Sequence, residues 1–140
     1  MLVRVVVAVA ILAVAGAIAW WLDRRRTVAA PSQGGTLAPQ QLDRNDFPRP
    51  DAPWLVVLFT SRHCDSCAGL VEKALPLASD EVAVVEVEYT QEPDLHERYR
   101  IDAAPITVLV DREGVTRGEF IGAYSAPELW SALADLRNAS

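Results

Sequence analysis

Residues 54–67 read Trp54-Leu55-Val56-Val57-Leu58-Phe59-Thr60-Ser61-Arg62-His63-Cys64-Asp65-Ser66-Cys67, an apolar run that ends directly in the only two cysteines of the chain. A short continuous apolar run, here residues 55–60, is the pattern of a strand buried on both faces. After it, over residues 64–79, Leu70, Val71, Ala74, Leu75 and Ala78 fall at helical spacing, with Pro76 as a kink or early stop. Two cysteines three apart at the start of a helix stand about one turn apart on one face, so their sulfurs can meet in a reversible disulfide. The positive end of such a helix favours a thiolate on Cys64. Arg62 and His63 add positive charge beside that thiol and Asp65 opposes them, which leaves the net sign of the tuning open. Arg62 as a solvated loop residue and Asp65 as a helix N-cap are the competing readings.

Downstream, residues 82–89 (VAVVEVEY) predict a second strand, with Glu86 and Glu88 on one face and Val85, Val87 and Tyr89 on the other. Glu86 is a candidate proton acceptor for Cys67; a pair of solvated strand carboxylates is the alternative. Residues 93–100 (PDLHERYR) suit a short helix opened by proline. Residues 106–110 (ITVLV), the turn Asp111-Arg112-Glu113-Gly114 and residues 115–121 predict a hairpin. Ser125, with Glu128 three residues on, caps a terminal amphipathic helix carrying Leu129, Trp130, Leu133 and Leu136.

Upstream, residues 5–22 (VVVAVAILAVAGAIAWWL) are uncharged and, at a rise of about 1.5 Å each, just long enough to cross a bilayer core. The run has no polar face for solvent, and Trp20 and Trp21 stand where an interfacial belt belongs. Ala17-Ile18-Ala19 offers a signal-peptidase pattern, and cleavage there would release an exported protein. The run continues into Arg24-Arg25-Arg26, a poor start for a translocated chain, so an uncleaved anchor is the favoured reading. Those arginines outnumber Arg4 plus the terminal amine, which puts the C-terminal domain in the cytoplasm, with an extracytoplasmic domain as the alternative. Residues 23–41, broken by glycine and proline, read as a flexible tether, and residues 42–139 as the globular domain.

A chain of 140 residues with a net charge of -6 holds one domain plus that appendage. Mild acidity and the lack of a basic patch among aromatics argue against nucleic acid as a partner. One disulfide is too few for a stapled secreted scaffold, so the cysteines read as a working pair. Cys64, Cys67, His63 and His96 have zinc-binding atom types. However, His63 adjoins its would-be partner, and His96 lies far along the chain on a charged helix, where a surface histidine is the simpler reading. No metal is expected.

A strand, a Cys-x-x-Cys segment, a strand, a helix, a hairpin and a helix make the order of an α/β protein with a mixed central sheet flanked by helices. From about residue 42 to residue 138 the chain resembles the thioredoxin family, particularly its membrane-tethered bacterial members. The resemblance rests on Cys64-Asp65-Ser66-Cys67 as the redox motif, Ala104-Pro105 just before a strand at the place of the family's cis-proline, Gly114 as the hairpin glycine, and Gly122-Ala123 beside the substrate groove. It implies a thioredoxin-like fold and thiol–disulfide exchange, Cys64 attacking and Cys67 resolving, with the redox-active disulfide serving in place of any cofactor. It further implies an extended substrate pairing with the backbone of Ala104 at Pro105, near Gly122. The partners implied are a protein disulfide or dithiol, an upstream electron donor or acceptor protein, and the membrane through the N-terminal helix. A domain in the cytoplasm would act as a reductase.

The chain also departs from the family. His63 replaces the usual tryptophan, the proline between the cysteines is absent, the buried acid of the preceding strand falls on Leu58, and the lysine facing it falls on Glu86. Polarity has changed sides, and the family's redox potential does not transfer. A redox-silent adaptor that binds an extended peptide along Ala104-Pro105 is the alternative function.

Overall fold

Strand β1 (Trp54–Thr60) is buried along its whole length. It achieves this by lying inside a four-stranded sheet of order β2-β1-β3-β4, formed with β2 (Val82–Glu88), β3 (Ile106–Val110) and β4 (Thr116–Ile121). β2 pairs with β1 in parallel, while β3 and β4 are added antiparallel. Alternation along β1 sends Leu55, Val57 and Phe59 into one core with Phe47, Val87 and Ile101. Trp54, Val56 and Leu58 enter a second core with Leu70, Ala74, Leu129 and Leu133. Helices α2 (Leu70–Ala74) and α4 (Ala126–Ala139) therefore cover one face, and α3 (Pro93–Arg98) covers the other. This is the mixed sheet flanked by helices that the sequence predicts.

The computed structural model describes residues 1–25 and 37–140. The chain divides into two units, Met1–Gly34 and Gly35–Ser140. In the first, α1 (Leu2–Arg25) has its described side chains exposed, and its stretch Leu2–Trp20 is long and apolar enough to cross a membrane, a property that signal sequences share. Helix α1 runs three residues into the expected tether, whose residues 26–36 lie outside the described residues. The far end of the tether differs from expectation. Ala38 is buried, Thr116 donates its N–H to the Gln40 carbonyl and its hydroxyl to the Pro39 carbonyl, and Gln41 bridges Val115. The reason is that backbone groups beside the β4 hairpin need partners, which any sequence can supply from its main chain.

At the other end of the fold, α4 begins with the full Ser125–Glu128 capping box. Leu129 and Leu133 of that helix are buried, whereas Trp130 stays on the rim and donates its indole N–H to the Lys73 carbonyl at 2.7 Å, tying α4 to α2.

The β3–β4 turn is organised by Asp111. Its carboxylate accepts the N–H groups of Glu113 (3.0 Å) and Val115 (2.9 Å) and the Arg117 Nε–H (2.7 Å). Gly114 (φ 83) presses against Leu42, whose N–H donates to its carbonyl at 2.8 Å. A Cβ on Gly114 would lie 2.0 Å from the Leu42 oxygen, whereas one on Gly122 (φ 93) would meet nothing within 4 Å. Gly114→Ala is thus expected to cost about 3 kcal/mol or more and Gly122→Ala about 1 kcal/mol. Urea unfolding of both variants checks this, and equal losses would refute the close-contact argument.

Burial pushes the Asp111 carboxyl up, but the bonds from Arg117, Val115 and Glu113 together with the Arg117 charge outweigh it and hold the group below its ordinary 3.8. A carboxyl whose pKa is depressed in the folded state adds stability that is complete above its unfolded value and is lost as pH falls through the folded one. The domain should therefore lose stability below about pH 4, and Asp111→Asn should flatten that part of the profile. Unfolding midpoints of both proteins measured from neutral to acid pH test the sign.

Candidate functional site

Because β1 is enclosed on both faces, the chain first meets solvent beyond Thr60, at the carboxyl end of the sheet. It turns there, with the Cys64 N–H donating to the Ser61 carbonyl at 3.1 Å, and continues as a three-residue 3-10 turn, Asp65–Cys67. The Cys67 N–H donates to the Cys64 carbonyl at 3.2 Å. Cys64 and Cys67 are joined as a disulfide with Cα atoms 5.4 Å apart, and both are half-buried.

The expected helix over residues 64–79 is thus interrupted. Gly69 takes a left-handed conformation (φ 75) between the turn and α2, and α2 passes into a second 3-10 turn, Leu75–Leu77, at Pro76. Cys64, not Asp65, occupies the N-cap position, and no side chain caps the turn. A turn this short aligns few peptide dipoles, so the expected helix-end support for a Cys64 thiolate is not built.

A groove of about 1020 Å³ opens on one side of the motif, lined among others by His63, Cys64, Asp65, Tyr89, His96 and Ala104. The Ala104–Pro105 bond is cis, as expected. Pro105 is buried, and the Gly122 N–H donates to its carbonyl at 2.9 Å. His63, Asp65 and Ala104 therefore share one groove with Cys64, whose lining includes neither Pro105 nor Gly122.

His96 is a correction. It is only 3% exposed, its Nε2 sits 2.8 Å from the Val87 carbonyl, and its ring meets the rings of Phe59 and Tyr89 edge-on. The Val87 carbonyl lies on an edge strand and needs a donor, and α3 brings the imidazole to it. Among the described residues, no group of three or more His, Cys, Asp or Glu could hold a metal ion.

On the other side of the motif lies a recess of about 290 Å³ lined by Thr60, Arg62, Cys64, Cys67, Glu86 and Glu88, among others. The strand register sets this up, placing Leu58 beside Glu86 and Thr60 beside Glu88. The buried Thr60 hydroxyl donates to Glu86 Oε1 at 2.7 Å. Glu88 accepts the N–H groups of Arg62 (2.9 Å), Thr90 (3.1 Å) and Gln91 (3.2 Å), and the Thr90 hydroxyl. The Thr90 hydroxyl first, then these N–H groups, hold the Glu88 carboxyl below its ordinary value despite the opposing pull of desolvation.

Glu86 thus reaches the same recess as Cys67, and neither carboxylate is merely solvated. Thr60, Glu88 and His96 are the residues that sequence reasoning missed. The lone hydroxyl at the end of an apolar strand, and a second glutamate on the face of Glu86, were the available signals for the first two.

Residues 41–137 match a family model described as a thioredoxin-like domain. A comparison with curated proteins finds no match. Among solved structures, Fasciola hepatica thioredoxin aligns with a TM-score of 0.51 at 24% identity, covering 60% of this chain and 81% of that one. Chloroplastic thioredoxin z aligns with a TM-score of 0.54 at 21% identity, covering 61% and 80%. A chain from a structure on the thiol resolving mechanism in yeast mitochondrial 1-Cys peroxiredoxin via glutathione/thioredoxin systems aligns at 0.52 and 24%, covering 66% and 85%. At these identities the likeness establishes the fold.

Proposed function

The chain belongs to the thioredoxin-like family, and on that premise we propose that it is a membrane-anchored reductase of protein disulfides. The observation that carries this reading is the half-buried Cys64–Cys67 disulfide at the mouth of the groove beside Ala104.

In the reduced protein the Cys64 thiolate attacks one sulfur of the substrate disulfide, a mixed disulfide forms, and one substrate sulfur leaves as thiolate. The Cys67 thiol then gives its proton to Glu86, and its sulfur attacks Cys64 Sγ. The second substrate sulfur leaves, and the Cys64–Cys67 disulfide remains. Two electrons have passed to the substrate, and an upstream dithiol protein returns them. The substrate lies extended along Ala104 at Pro105, near Gly122. Arg62 and His63 favour the attacking thiolate, and Asp65 opposes it. Helix α1 serves as the anchor, and the charge bias of Arg24, Arg25 and Arg26 puts the domain on the cytoplasmic side, where the pair is kept reduced.

The full chain in detergent, supplied with a small dithiol, should reduce insulin, and the double Cys64→Ser, Cys67→Ser variant should not. Equal rates for the two proteins would leave an adaptor role instead. In the same assay Glu86→Gln should trap the mixed disulfide and lower turnover by at least about tenfold, and unchanged turnover would remove Glu86 from the mechanism. In intact cells a membrane-impermeant maleimide should fail to label the cysteines until the cells are opened. Immediate labelling would place the domain outside.

A further inference from the structure

We propose that Glu88 is a positioning residue for this exchange, a two-sided bridge that ties the segment carrying Cys64 to the end of β2 and keeps a negative charge behind the cysteine pair. The proposal rests on the redox reading above, and it starts from where β1 runs out of partners. The last rung of the sheet there is the Tyr89 N–H donating to the Thr60 carbonyl at 3.0 Å. Beyond it, the loop bonds to itself: the His63 N–H donates to the Ser61 hydroxyl at 3.4 Å and the Cys64 N–H to the Ser61 carbonyl at 3.1 Å. Among the described residues, the bond that carries this loop to another element is the Arg62 N–H to Glu88 Oε1, two residues before the nucleophile.

The other carboxylate oxygen of Glu88 faces away from the loop. Oε2 accepts the N–H groups of Thr90 and Gln91 and the Thr90 hydroxyl, so the side chain is clamped from behind while Oε1 holds the loop. Both oxygens are acceptors, and only a carboxylate offers two. A glutamine would turn its NH2 either toward the Arg62 N–H or toward those of Thr90 and Gln91, leaving donor against donor. An aspartate keeps the charge but is one methylene too short to span both partners.

The charge has its own effect. Glu88 shares the recess with Cys64, Cys67 and Glu86, and its donors keep it ionised across the range in which thiols titrate. A fixed negative charge there penalises the thiolate relative to the disulfide, and so makes the reduced pair the stronger electron donor.

The two roles separate experimentally in the full chain. After reduction, the pH dependence of Cys64 alkylation by iodoacetamide and the equilibrium of the pair with glutathione report the charge, while insulin turnover reports loop position. Glu88→Gln should move the alkylation profile to lower pH, shift the glutathione equilibrium toward the dithiol by about three- to tenfold, and slow turnover. Glu88→Asp should leave the alkylation profile and the equilibrium near wild type and still slow turnover.

Wild-type alkylation and equilibrium in Glu88→Gln would overturn the charge role, and wild-type turnover in Glu88→Asp would overturn the bridge. If the wild-type protein reduced no protein disulfide, the redox reading itself would fall. The alkylation and glutathione measurements would still decide whether Glu88 acts on the pair.

Discussion

The enclosure of β1 is the constraint from which the site follows. Seven consecutive residues, Trp54–Thr60, lie out of water on both faces, so their backbone groups must be satisfied by strands on either side and their side chains by two separate cores. A strand of that kind delivers its chain to solvent only at its end. Thr60 is where the change occurs, buried to 2% exposure but hydrogen-bonded through its hydroxyl. Cys64 and Cys67 consequently emerge at the carboxyl edge of the sheet. The segment that leads into β3 supplies the groove wall next to it, and the end of β2 supplies two carboxylates. Neither neighbour is close in sequence to the cysteines; the sheet order alone brings them there.

That distinction separates what could be read from the sequence from what could not. The buried strand, the β3–β4 hairpin and the Ser125 capping box depend on local pattern and stand as expected, as does the cis Pro105 that the family resemblance implies. The helix expected after Cys64 is interrupted because Leu70, Val71, Ala74 and Leu75 carry a helical spacing that says nothing of Gly69, and one left-handed residue is enough to detach the cysteine turn. The burial of His96 is not legible because a six-residue helix is too short to declare its buried face. What buries the ring is an unpaired carbonyl on another element. Residues 38–41 look like linker by composition, yet Gln40 and Pro39 engage the domain through carbonyls that composition does not reveal.

The exchange of polarity between strands that the family resemblance implies has a physical logic of its own. In the parallel β1–β2 pair, Leu58 and Glu86 are register partners, so moving the acid from one to the other keeps it near the motif while changing its surroundings. On β1 a carboxylate would be enclosed in the core with Leu70 and Tyr124 and would bear a heavy desolvation cost. On the edge strand Glu86 keeps water on one side and takes the Thr60 hydroxyl on the other. Leu58 is then free to pack, 1% exposed, against the second core.

The loss of a continuous helix behind Cys64 acts in the same direction as this exchange. A long helix would add positive potential at the motif, and the interrupted one adds little. Glu86 and Glu88 add negative potential from the recess, and Asp65 adds more from the motif itself. Arg62 and His63 oppose them, but both side chains are exposed to water, which weakens what they add. Three of these features lie on different elements, yet each raises the free energy of a thiolate relative to a disulfide. These features are the electrostatic argument for the proposed reading of this site as a donor of electrons to protein disulfides and not as an oxidant.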